Sequence, residues 1–221
     1  QVLKKHPNID WLAVIDPDTN KLKIARKVWK IKNTFRDISE LPRNIKPEIA
    51  ILATKPNHRL DIIKSLPTLK GVIIEKPLSE NVQDRKKLIK YCQEKNIKTN
   101  VNFTRRFDTE MLKIKDKIVN KLGEVQYGCI LYGNGIKNNG VHFIDLIRML
   151  FGKIKSVHAL GKVIKNKNFP IDNDYNMQVV LELKNKKSIL MCPINFNFYR
   201  EQYVDIWCDK GRIEIFQEGI F

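Results

Sequence analysis

Glu75-Lys76-Pro77 sets a carboxylate, an amine and a proline directly after the apolar run Gly71-Val72-Ile73-Ile74. The run predicts a short buried strand. Proline, with φ fixed and no N–H to give, ends it there. Open α/β sheets bind ligands at the C-terminal ends of their strands, so the Lys76 amine is a candidate for proton transfer from a rigid element. Read more plainly, the tripeptide is an ion pair and a turn. Two other strand ends carry polar groups. Asp16 closes the run Trp11-Leu12-Ala13-Val14-Ile15. A carboxylate there can accept both ribose hydroxyls of an adenosine and would repel a 2′-phosphate, or it is a turn residue of Asp16-Pro17-Asp18. Thr54-Lys55-Pro56-Asn57-His58 follows Ile49-Ala50-Ile51-Leu52-Ala53. Its hydroxyl and amide groups suit a second ribose, or Asn57 caps the next helix.

A second cluster of chemistry lies further on. The loop Gly133-Asn134-Gly135-Ile136-Lys137-Asn138-Asn139-Gly140 runs into Val141-His142-Phe143-Ile144-Asp145. Glycines let backbone approach a ligand closely. His142 and Asp145, three apart, share one face of a helix. The histidine is either an acid–base group or a capping or core residue.

The elements that must position these groups follow two rhythms. From Val2 to about Ile74, continuous apolar strands alternate with short helices, Lys21 to Trp29 and Arg59 to Leu66, and Ser79 then N-caps a helix with Val82, Leu88, Ile89 and Cys92 on one stripe. Val2 to His6 reads as the end of an earlier helix and Thr99 to Phe103 as the last strand. This predicts a parallel sheet covered on both faces. Asp108 caps a helix with Met111, Ile114, Ile118 and Leu122 on its stripe and Gly123 past its end. Beyond it the period becomes two, as in Val125, Tyr127, Cys129 and Leu131, with hairpin turns at Asn185-Lys186 and Asp209-Lys210-Gly211 and one helix from His142 to Phe151. The expected fold is an α/β Rossmann-type domain over residues 1–104, followed over 105–221 by an α+β domain with a largely antiparallel open sheet. The opening strand and Gly-rich turn of a dinucleotide fold are expected about 10–20 residues upstream of Gln1.

The composition narrows the classes. A chain of 221 residues holds a proper core, and no apolar run approaches the ~20 residues that span a bilayer. Cys92, Cys129, Cys192 and Cys208 lack metal or redox spacing and read as reduced residues of a cytoplasmic protein. The net charge of +17 comes from lysines scattered along the chain without interleaved aromatics. Solvated faces account for it better than nucleic-acid binding, and neither a nucleic acid, a membrane nor a metal ion is an expected partner.

Taken in order, Glu75-Lys76-Pro77, Asn102-Phe103-Thr104-Arg105-Arg106-Phe107 and Gly140-Val141-His142-Phe143-Ile144-Asp145-Leu146 resemble the Gfo/Idh/MocA family, named for glucose–fructose oxidoreductase and inositol dehydrogenase. The likeness covers essentially the whole chain. It implies hydride transfer between a nicotinamide cofactor and a secondary alcohol of a sugar, sugar nucleotide or cyclitol, and the Asp16 carboxylate favours NAD over NADP. It further implies Lys76 and His142 as catalytic residues, with Asn138, Arg106 and Asp145 toward the substrate. Asp16, Thr54, Asn57, His58, Glu75, Lys76 and Asn102 fall toward the cofactor. A homodimer or homotetramer joined through the C-terminal sheet is implied as well. The family often has aspartate where Asn138 stands. An amide exchanges no proton, so acid–base work falls to Lys76 and His142, or the protein is a catalytically silent relative acting as a sensor or assembly subunit.

Overall fold

The computed structural model describes residues 6–117, 121–165 and 169–217. Most of the helix end expected at Val2–His6, and Ile118 on the later stripe, lie outside these residues. The chain divides into two compact units, Gln1–Asn102 and Phe103–Phe221.

In the first unit β1 (Val14–Ile15) pairs in parallel with β2 (Thr34–Phe35). A second parallel sheet is built from β3 (Ile49–Leu52), β4 (Gly71–Ile74) and β5 (Lys98–Val101), in that order. Helix α1 (Thr19–Lys27) is capped by Asp18, whose carboxylate accepts the Asn20 N–H at 2.8 Å. The run Trp11–Ile15 yields only two residues of strand, because its partner β2 is itself two residues long. Cover on both faces, the reading drawn from the continuous apolar runs, is not what the second sheet has. Leu52, Val72 and Ile74 pack with Ile63 of α2 (Arg59–Lys64) and with Leu88 and Cys92 of α3 (Val82–Glu94). The alternate residues Ile49, Ile51 and Ile73 are 62%, 47% and 37% exposed. Helix α3 also starts differently from expectation. Asn81, not Ser79, caps it: Asn81 Oδ1 accepts the Asp84 N–H at 2.8 Å and the Asp84 carboxylate accepts the Asn81 amide at 2.6 Å. The Ser79 hydroxyl instead donates to the Asn81 carbonyl. Val82 and Ile89 stand outside the buried stripe of Leu88 and Cys92.

In the second unit α4 (Thr109–Lys117) starts at Asp108, which accepts the N–H groups of Glu110 and Met111. Then come β6 (Val125–Tyr132), α5 (Val141–Phe151), β7 (Ile154–Lys165), β8 (Tyr175–Leu183), β9 (Ser188–Pro193), β10 (Gln202–Cys208) and β11 (Gly211–Gln217). They form one open sheet in the order β11-β10-β6-β9-β8-β7, antiparallel throughout except for the pair β6–β9. Helix α5 covers one face, setting Phe143, Leu146, Ile147 and Leu150 against Ile130, Leu181, Ile189, Met191, Val204 and Ile206. Strand β6 forms, but the face it buries is Gly128, Ile130 and Tyr132, while Tyr127, Cys129 and Leu131 line the other. A register shift opposite Trp207 and Cys208 puts Val125 back on the buried side. Such a bulge breaks the simple alternation that the sequence displays.

Tyr132 closes a gap in this sheet. On one side of β8, Met177 falls in the register shift between Leu160 and Ile164 of β7. On the other, continuing the β8–β9 register sets it opposite Pro193, which has no N–H. The Tyr132 hydroxyl reaches across, donating to the Met177 carbonyl at 2.6 Å and accepting its N–H at 3.0 Å. Burial pushes this phenol up to about 12, so it stays a donor at neutral pH. Tyr132→Phe should cost about 1–3 kcal/mol, the penalty for stranding buried polar groups. A lower urea midpoint at unchanged m-value would record it.

Candidate active site

The candidate groups of the first unit stand at the C-terminal ends of strands in two separate sheets, and those of the second around the start of α5. In the first unit Asp16 ends β1 and accepts the Asp18 N–H at 2.9 Å, with Lys21 Nζ at 3.5 Å. Thr54, Asn57 and His58 lie exposed in the turn after β3. Asn57 sits inside a 3₁₀ turn, Pro56–His58, and the cap position of α2 belongs to His58, so Asn57 is not the helix cap. Glu75 and Lys76 follow β4 directly, both half-buried, and the Lys76–Pro77 bond is cis. Asn102, just past β5, donates to Glu75 Oε1 at 2.5 Å. The neighbouring strand end thus fixes the Glu75 carboxylate, and with it the backbone leading into Lys76.

One residue of this end gave no signal in the sequence. Arg59, 2% exposed, opens α2 and points its guanidinium back under the loops. Its Nε and Nη2 donate to the Thr54 carbonyl at 3.1 and 2.7 Å, and Nη1 donates to the Pro77 carbonyl. It therefore ties together the turns that bear Thr54 and Lys76. Burial pulls its proton affinity down, and the Glu75 charge opposes that pull.

In the second unit the 3₁₀ turn Thr104–Phe107 and helix α5 hold one another. Arg106 Nε donates to both oxygens of Asp145, at 2.9 and 2.8 Å, and Nη2 donates to Oδ1 at 2.8 Å. The two residues expected to face substrate are therefore each other's partners. The Phe103 ring meets His142 edge-on, with centroids 5.9 Å apart at 84°. Arg105 lies 5.4 Å from the Phe143 ring centroid, and burial lowers its proton affinity against the opposing pull of Asp108. Ahead of α5, Ile136–Gly140 forms a π-type turn entered through Gly135 at φ 88°. Its backbone is held from β8. Asp174 accepts the N–H groups of Lys137 at 3.0 Å and Asn138 at 2.9 Å, and Asn176 accepts that of Gly135 at 2.9 Å. Asp174 and Asn176 were not foreseen either. Two polar residues at i and i+2, one just before β8 and one within it, are the trace they leave in the sequence.

Chemically, one unit offers an amine, a carboxylate and amide and hydroxyl groups on adjacent parallel strand ends. The other offers an imidazole and an amide on a glycine-rich turn. Among the described residues no cluster of His, Cys, Asp and Glu could hold a metal ion, and no helix is long and apolar enough to cross a membrane.

Comparison with known proteins agrees with this division. Residues 1–103 match the profile described as "Oxidoreductase family, NAD-binding Rossmann fold", and residues 130–214 match the "GFO/IDH/MocA C-terminal domain". The chain is 23% identical to the myo-inositol 2-dehydrogenase of Thermotoga maritima, over 91% of its own length and 66% of that protein's. It spans 42–66% of the length of the curated relatives it matches. Among solved structures it resembles scyllo-inositol dehydrogenase from Lactobacillus casei with bound NAD(H) and scyllo-inositol, at TM-score 0.76 and 18% identity, over 96% of this chain and 70% of that one. It also resembles the WlbA dehydrogenase from Bordetella pertussis in complex with NADH and UDP-GlcNAcA, at TM-score 0.78 and 17% identity, over 97% and 72%. At such identities the structural likeness is one of fold. The two profiles fall in family order on the two units, and the chain belongs to the GFO/IDH/MocA oxidoreductase family.

Proposed function

We propose that the protein is an NAD-dependent dehydrogenase that moves a hydride between nicotinamide and a secondary alcohol of a cyclitol, sugar or sugar nucleotide. The observation that carries this reading is the amine of Lys76 at the C-terminal end of β4, braced through Glu75 by Asn102. The residues present fit a dinucleotide. The Asp16 carboxylate suits the two hydroxyls of an adenosine ribose and disfavours a 2′-phosphate. Thr54, Asn57 and His58 offer hydroxyl, amide and imidazole groups to the second ribose. When bound, the nicotinamide supplies a hydride acceptor. Lys76 takes the hydroxyl proton, His142 hydrogen-bonds the substrate, and Asn138 holds a neighbouring hydroxyl. Relatives named for myo-inositol and scyllo-inositol support cyclitols, while the neighbour holding UDP-GlcNAcA and the amide at Asn138 support nucleotide-linked sugars.

The test is reduced-nicotinamide absorbance with full-length protein, NAD and a panel of myo-inositol, scyllo-inositol, UDP-sugars and GDP-sugars. Turnover of one panel member supports the reading. NAD binding without any turnover favours the silent relative, for which Asn138 is the pointer. Cys92, Cys129, Cys192 and Cys208 are all free thiols, and a cytoplasmic location is part of the reading.

The same reading includes self-association through the sheet of the second unit. The face opposite α5 runs in register across Phe216, Tyr203, Leu131 and Cys192, and across Cys129, Leu190 and Val180. Tyr127 and Trp207, paired in the next row, are 46% and 36% exposed, and Phe216 is 62% exposed. The apolar residues of this face surround a charged cluster, in which Arg212 pairs with Asp205 and Glu214, and a broad half-exposed face of this mixed kind suits a second copy of itself. Leu190→Arg in full-length protein should lower the sedimenting mass to that of one chain and leave NAD affinity unchanged. Wild-type protein that already sediments as a single chain rules this pairing out.

A further inference from the structure

We propose that Asp174 is a positioning residue for Gly135–His142, capping from a distant strand the helical run that carries Asn138 and His142. Its catalytic consequence rests on the dehydrogenase reading; its structural consequence does not. The π-type turn Ile136–Gly140 continues without a break into α5. The first N–H groups of such a run have no partner within it. The residue at the cap position is Gly135, which has no side chain to offer. The acceptors come instead from the start of β8. Asp174 Oδ1 takes the Lys137 N–H and Oδ2 takes that of Asn138, while Asn176 Oδ1 takes that of Gly135. Asp174 is 3% exposed and Asn176 5%.

The carboxylate and the glycine are fitted to each other. A Cβ on Gly135 would lie 2.0 Å from Asp174 Oδ2, at a φ of +88° that side chains rarely adopt. On an extended backbone a serine at position 135 would cap the turn locally, as most helices are capped, without burying a charge. Glycine gives up that local cap and admits the Asp174 carboxylate. What the distant carboxylate adds is a tie between the sheet and the backbone nitrogen of Asn138. Oδ1 also accepts the N–H of Tyr175, the first residue of β8. Lys137 Nζ adds a second tie by donating to the Asn173 carbonyl at 3.2 Å, and the Tyr132 hydroxyl fixes Met177 just along the strand. The loop between β6 and α5 is thus pinned at Gly135, Lys137 and Asn138 to Asn173 and Asp174, just before β8, and to Asn176 within it. Displacing a positioned group by about 1 Å can cost about 10²-fold in rate, so the cap bears on turnover without touching substrate.

The experiment uses full-length protein with Asp174→Asn and Asp174→Glu. Asparagine keeps the shape but turns an NH2 group toward an N–H; glutamate keeps the charge but shifts both oxygens. Amide hydrogen exchange of the segment 133–141, NAD affinity, and turnover of the best panel substrate are measured, the last with and without deuterium at the oxidised carbon. We expect exchange in that segment to quicken about tenfold, the protection of one lost hydrogen bond. We also expect kcat to fall about 10²-fold, the isotope effect to rise as hydride transfer becomes limiting, and NAD affinity to hold. A smaller folded fraction would lower the rate but leave the isotope effect alone. Unchanged exchange in both variants overturns the proposal, and so does faster exchange with wild-type kcat and isotope effect. Loss of NAD affinity together with turnover in both variants also overturns it, in favour of a purely structural role. If the wild type oxidises nothing in the panel, the dehydrogenase reading has failed, and hydrogen exchange alone supports or refutes the cap.

Discussion

Replacing Lys76 by alanine is expected to lower turnover by about 10²–10⁴-fold, the usual worth of a positioned general base, with a far smaller change in NAD affinity. The contrast follows from where the neighbouring groups are anchored. Glu75 is held by Asn102 and by the β3 backbone, its N–H donating to the Leu52 carbonyl at 2.9 Å. The turn bearing Thr54 is held by Arg59. These bonds run from strand ends and from Arg59, so the groups assigned to the ribose hydroxyls are expected to stay in place when the Lys76 side chain is removed. Lys76→Arg separates two explanations. Arginine keeps the positive charge but gives up no proton near neutral pH, so it should be as inactive as alanine if the amine accepts the hydroxyl proton. Steady-state kinetics and cofactor titration on both variants are the measurements. Near-normal turnover in the alanine variant would remove Lys76 from the chemistry.

Arg106→Ala is expected to destabilise the second unit by about 3 kcal/mol, near the lower end for breaking a buried ion pair. The Asp145 side chain is 9% exposed and takes three hydrogen bonds from Arg106, whose own side chain is 38% exposed. The exposures predict an asymmetry. Loss of Arg106 strands a carboxylate that water barely reaches. Asp145→Asn leaves a guanidinium that water can solvate, and should cost less. Urea unfolding followed by Trp207 fluorescence, with Trp11 and Trp29 replaced by phenylalanine, would report on this unit separately. Equal costs for the two variants would contradict the clamp. The pair also changes what the first-turn residues of α5 are for. Asp145 fixes α5 to the Thr104–Phe107 turn, and the imidazole three residues earlier gains its place from that attachment.

The parts of the site that are local in the sequence could be read there. Lys76 was visible because an apolar run, a charged pair and a proline compress a strand end into seven residues. The turn before α5 was visible because glycine and asparagine crowd together ahead of a helical period. What could not be read is whatever joins distant segments. The Asp174 bond to Asn138 spans 36 residues, the Asn176 bond to Gly135 spans 41, and the Tyr132 bond to Met177 spans 45. A buried arginine such as Arg59 looks, in sequence, like any basic residue at a helix start. The face buried by β6 was ambiguous for another reason. Both faces are apolar, and only the bulge opposite Trp207 and Cys208 resolves the phase. The helix α3 cap was ambiguous because Ser79 and Asn81 are both good caps, and the reciprocal bond to Asp84 selects the second.

Strand β6 has a consequence in time as well as in space. The stretches β7–β8–β9 and β10–β11 are each made of neighbours in sequence, nine, four and two residues apart, and can zip up early. In the sheet they meet through β6, which lies between β10 and β9. Its parallel pairing with β9 must wait until the chain from Tyr132 to Ser188 has been closed, a large entropic toll. Gly128 marks the seam: a Cβ there would come 2.4 Å from Ile206 on one side and 3.1 Å from Ile189 on the other. The C-terminal unit should therefore fold as two quick pieces and one slow insertion, with β6 the last strand to gain protection.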